Sequence, residues 1–83
     1  MELKDTIEMM QSLDYKERFK AEYYQLKIRL EKLMNMIVKW DNSELPFTPT
    51  VNRSVYTEQI YFMSEYLRVL RKRAIEEDIK LED

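Results

Sequence analysis

The chain has no cysteine, no histidine and no glycine, and only two prolines. Each absence removes a class of chemistry. Without cysteine there is no disulfide, and without cysteine and histidine the usual zinc sets are gone. No histidine is present to act as a base near neutral pH, and no thiol as a nucleophile. Without glycine neither a P-loop nor a dinucleotide fingerprint can form, since both need glycine for close backbone approach. No Asp-rich loop points to calcium or magnesium, so the expectation is no metal, no cofactor and no catalysis. No apolar run reaches the roughly 18 residues that a membrane span needs. No signal-peptide pattern opens the chain. Membrane association is therefore not expected, and lack of cysteine fits a cytosolic setting. At 83 residues the chain makes one domain. Domains near this size leave roughly 40% of their surface exposed and lean on disulfides, metals or oligomerisation. Only the last remains.

What is present is helical periodicity. From Tyr15 to Trp40, apolar residues fall at Phe19, Tyr23, Leu26, Leu30, Leu33, Ile37 and Trp40. Steps alternating between four and three make a heptad seam. A helix over 15–40 would be roughly 39 Å long, at about 1.5 Å per residue. Asp14 is placed as its N-cap, with Glu17 three residues on completing a capping box. Tyr24, Ile28, Met34 and Val38 form a second apolar stripe beside the seam, too wide for one partner helix to cover.

Residues 2–11 predict a short amphipathic helix with Leu3, Ile7 and Met10 on one face. Residues 41–53 are a loop, because Pro46 and Pro49 forbid a continuous helix. Phe47, between them, is expected to fold back as a plug. Asn52 or Ser54 caps a third helix over 54–77, with seam Tyr56, Ile60, Met63, Leu67, Leu70 and Ala74. It too has a second stripe, at Phe62, Tyr66 and Val69. The tail, 78–83, is acidic and expected to fray. The fold class is all-α: a short N-terminal helix and a long antiparallel hairpin, with leftover apolar stripes that drive homo-oligomer formation.

Net charge is −2, but it is unevenly spread. The two long helical stretches are basic, whereas the ends and the loop are acidic. That distribution suits a small anion better than duplex DNA, which usually wants a strongly basic face. DNA and RNA are therefore not expected partners. Three features offer binding. Tyr15 and Arg18 sit in the opening turn of the long helix, where free N–H groups and the dipole favour anions. Tyrosine can stack on a base and arginine can fork onto a phosphate. The alternative is that Tyr15 packs on the N-terminal helix and Arg18 is merely solvated. Lys27, Arg29 and Lys32 form a basic ridge, or else a wet face partnered by Glu22 and Glu31. Arg68, Arg71, Lys72 and Arg73 crowd the end of the last helix, where the dipole alone would favour them and where Glu76, Glu77 and Asp78 follow to neutralise them. Six tyrosines in so small a chain suit interfaces that are dry on one side and wet on the other.

The pattern ERF-x-x-E-x-x-x-L-x-x-R-L-x-K-L, Glu17 to Leu33, resembles the first core helix of the phage anti-CBASS sponges, a family of small helical phage proteins. The pattern Q-I-x-x-M-x-x-Y-x-x-V-L-x-x-R, Gln59 to Arg73, resembles the second. The resemblance implies a compact helical homo-oligomer, with hexamers known, acting in the host cytoplasm. It implies binding of cyclic di- or trinucleotide immune signals, which are held away from their effectors without cleavage. It implies that the cyclic dinucleotide lies between protomers, touched by Tyr15 and Arg29, and that Arg73 belongs to a separate site for cyclic trinucleotides. Arg18 and Lys27 complete the candidate set. The loop ELPFTPT and the long acidic tail depart from the family pattern. The other reading of the same residues is a helical-hairpin module that binds a host or phage protein through its apolar stripes.

Overall fold

A computed structural model describes residues 1–82; Asp83, at the end of the tail, lies outside the described residues. Among the described residues the chain is all-helical with no strand. A 3-10 turn, Leu3–Thr6, runs into the short helix α1, Ile7–Met10; α2 spans Tyr15–Asp41 and α3 spans Arg53–Glu76.

Helices α2 and α3 form an antiparallel hairpin. The opening residue of α2, Tyr15, meets Glu77 just past the end of α3. At the opposite end, Trp40 packs edge-on against Tyr56, and Asp41 pairs with Arg53 at 3.0 Å. The seams interlock most tightly in the half away from the loop. Phe19, Tyr23, Leu26 and Leu30 of α2 are buried against Leu67, Leu70 and Ala74 of α3. Each of the buried leucine and phenylalanine side chains contributes about 1.5–3 kcal/mol of transfer free energy.

The caps follow the local sequence. Asp14 accepts from the Lys16 amide at 2.9 Å, and Asn52 from the Ser54 amide at 3.0 Å. The reciprocal half of the expected capping box does not form. The Asp14 amide donates to Ser12 Oγ instead, and Glu17 pairs with Lys20. Lacking glycine, the chain ends both long helices on non-glycine residues in the left-handed region, Ser43 (φ 59°) and Asp78 (φ 54°). Each turn closes with the bonds of a Schellman motif: the Glu44 amide to the Lys39 carbonyl, and the Ile79 amide to the Ala74 carbonyl, both 2.8 Å.

Four further expectations fail. The N-terminal segment does not bury Ile7 and Met10 together with Leu3; both are half exposed, whereas Thr6 is buried and Met9 packs on the core. A 3-10 start has a period of three, which aligns Leu3, Thr6 and Met9. Phe47 is no plug, being 53% exposed. As far as Glu82 the tail does not fray. The turn at Asp78 sends Ile79 into the core, and the Glu82 amide donates to the Tyr24 hydroxyl at 2.7 Å. Finally, Tyr24 and Ile28 are not left over, since both are buried within the chain. The uncovered part of the second stripe is Met34 and Val38, with Phe62, Tyr66 and Val69 on α3.

Candidate aromatic and cationic site

Residues Tyr15, Arg18, Glu22, Gln25 and Arg29 recur along α2 at steps of three and four, so they share one face. Tyr66 and Arg73 of α3 and its C-cap Glu77 recur at seven and four and share another. Antiparallel pairing brings the two rows together. Tyr66 donates its hydroxyl proton to Glu22, and Arg73 donates to the Tyr15 hydroxyl at 2.8 Å.

The first cluster lies where α2 begins and α3 ends. The Tyr15 hydroxyl accepts from Arg73 and donates to Glu77 Oε1 at 2.8 Å. Glu77 Oε2 accepts from Arg73 Nε at 3.3 Å, and the guanidinium lies 4.9 Å over the Phe19 ring. Desolvation pulls the Arg73 pKa down, but the Tyr15 and Glu77 contacts outweigh it and leave the cation held above its ordinary value. The second cluster lines a groove of about 460 Å³ formed by Met10, Arg18, Ala21, Glu22, Gln25, Leu26, Arg29 and Tyr66. Arg18 is steadied by the Ser12 carbonyl at 2.9 Å. Arg29 is exposed, with no hydrogen bond or ion pair to another described residue. The hydrogen bond to Glu22, then desolvation and the carboxylate's field, raise the Tyr66 pKa, while Arg73 draws it back.

The predicted residues therefore fall in three places. Tyr15 and Arg73, expected at separate sites, are in direct contact. The Tyr15 hydroxyl is tied to the end of α3 through Arg73 and Glu77. Arg18 and Arg29 share the groove. Lys27 lines a different cleft, with Met1, Tyr24, Ile28, Glu31 and Glu82. Of the other α3 cations, Arg68 pairs with Glu65, and Arg71 donates to the buried Tyr23 hydroxyl.

Sequence reasoning missed Gln25 and Tyr66 as members of this surface, and gave Glu77 only the part of neutralising the cations at the end of α3. The signal for Glu77 was its four-residue spacing from Arg73, a helical ion-pair distance. Tyr66 was read as leftover apolar surface, and Gln25 sits on a helix face that the seam does not mark. Among the described residues no cluster of three or more acidic residues is placed to hold a metal, and no helix is long and apolar enough to cross a membrane.

Fold and surface together define a class: a small all-helical hairpin whose end away from the loop carries aromatic rings, guanidinium groups and a polar groove. A family model matches residues 13–76, which is most of the chain. The chain belongs to that family, Sequestin, the anti-CBASS cyclic-nucleotide sponges. The family name itself speaks of a sequestering role. The matched span holds all five predicted site residues and stops one residue short of Glu77. No curated protein and no solved structure matches the chain.

Proposed function

We propose that the protein sequesters cyclic di- or trinucleotide immune signals in the host cytoplasm on behalf of a phage, holding them without cleaving them. One observation carries this reading. Tyr15 and Arg73, separated by 58 positions, meet at 2.8 Å on the face that also carries Arg18 and Arg29. A cyclic oligonucleotide is a small polyanion with flat bases. It needs a ring to stack on and a few fork-shaped cations, not a broad basic surface. Its binding requires no acid, base or nucleophile, and the proposal assigns none. It involves no DNA, RNA or membrane.

The exposed apolar residues Met34 and Val38 on α2, and Phe62 and Val69 on α3, support assembly of several copies, with a ligand held where protomers meet. The same residues support a second reading, a hairpin that docks on another protein. Titration calorimetry with cyclic di-AMP, cyclic di-GMP, cyclic tri-AMP and cyclic ADP-ribose isomers separates the two, together with sedimentation. Sequestration predicts an oligomer and at least one ligand bound at micromolar or better. Tyr15→Ala and Arg29→Ala should each weaken binding about tenfold or more. A monomer that binds nothing at tens of micromolar would remove the first reading and leave the second.

A further inference from the structure

The Tyr15–Arg73 pair is already engaged by a carboxylate of its own chain. Glu77 Oε1 accepts from the Tyr15 hydroxyl, and Oε2 accepts from Arg73 Nε. A phosphodiester offers two non-bridging oxygens to the same kinds of donor in the same forked arrangement. From this geometry we infer that Glu77 is an internal competitor for the ligand's phosphate, and that it sets the affinity of the site. The inference rests on the sequestering reading above and adds a residue that lies beyond the segment shared with the family.

The surrounding structure lets this carboxylate move without disturbing the fold. The Glu77 backbone is fixed as the C-cap of α3, its amide bonded to the Arg73 carbonyl at 2.8 Å. Ile79, two residues on, is buried in the core. The Glu77 side chain, by contrast, is about one-third exposed and held only by these polar contacts. Rotating it outward frees the phenol and the guanidinium while the tail stays docked. A guest with a single phosphate then exchanges one anion for another and gains little. A guest that also places a ring or second phosphate over the Arg18–Arg29 groove gains contacts that Glu77 cannot supply.

The test is calorimetric binding of cyclic di-AMP, cyclic di-GMP and cyclic tri-AMP to the full chain and to Glu77→Gln and Glu77→Ala. Glu76→Gln serves as control, because it removes the same charge next door at an exposed residue outside the cluster. Thermal unfolding checks that the tail remains docked in each variant. The expected result is tighter binding by roughly 3- to 10-fold in both Glu77 variants, the scale of an exposed ion pair plus a hydrogen bond, with Glu76→Gln near wild type. Binding by Glu77→Gln where the wild type shows none would support the inference equally. Wild-type binding that the Glu77 variants leave unchanged or weaken would overturn it while sparing the sequestering reading. So would an equal gain in Glu76→Gln, which would mark a general charge effect. No binding by any form would sink both.

Discussion

The two ends of the hairpin are built from the same kind of sequence and finish differently. At the end away from the loop the seam of α2 is buried by α3, by the N-terminal segment and by the returning tail. At the loop end the helices pair through Trp40 with Tyr56 and Asp41 with Arg53. Met34, Val38, Val55 and Phe62 stay about half exposed or more there, and Leu33, Met36 and Trp40 are only half-buried. A heptad seam therefore specifies that helices pair, but not how much of each helix is covered. Coverage comes from short flanking segments, and here both lie at one end.

That contrast can be broken or sharpened by substitution. The largest effect is expected at Leu70, which is fully buried. Leu70→Ala should cost about 3–5 kcal/mol in urea unfolding, whereas Met34→Ala at the loop end should cost less than about 1 kcal/mol in the monomer. Equal losses would mean that the ends are equally packed. Next comes the tail. Ile79→Ala should cost about 2–4 kcal/mol and raise hydrogen exchange at Glu82, whose amide is bonded to Tyr24. A fraying tail would show neither effect.

Smaller gains are expected where the helices end. Ser43→Gly should stabilise by about 1 kcal/mol, because glycine removes the steric cost of the left-handed conformation. Asp78→Gly should gain less, since aspartate tolerates that region better than serine. The smallest effect is alkaline. The folded chain raises the Tyr66 pKa above its ordinary value of 10.0. The folded state thus holds this proton more tightly than the unfolded chain does. Its contribution is complete below pH 10.0 and is lost as pH climbs past the folded-state value. Tyr66→Phe should flatten that part of the stability profile relative to wild type, read by urea midpoints across alkaline pH.

The hairpin was legible because alternating steps of four and three survive whatever covers the seam. Its caps were legible because Asp14 and Asn52 act on amides two residues away. The N-terminal register was not, since a 3-10 start replaces the expected period with one of three. The tail was hidden by its charge. Ile79 and Leu81 alternate with charged neighbours, and reaching the core required a left-handed turn at an aspartate. For the site, the residue types were legible and their neighbours were not. Tyr15 and Arg73 meet only once the antiparallel register is known, and with it the position of Glu77.

Thr6 is the one buried polar side chain among the described residues, and its hydroxyl accepts from Gln25 Nε2 at 2.9 Å while donating to the Leu3 carbonyl. Gln25 also lines the arginine groove, and Met10, whose sulfur lies 3.5 Å from the same amide nitrogen, forms part of its wall. One amide is therefore both the clasp that fastens the leading segment and a tile in the floor of the groove. Loosening that clasp, for instance with Thr6→Val, would reshape the Arg18 groove from the adjoining cleft that Thr6 lines with Met10, Gln25 and Arg29, so an injury to the start of the chain would surface in the groove with the hairpin still standing.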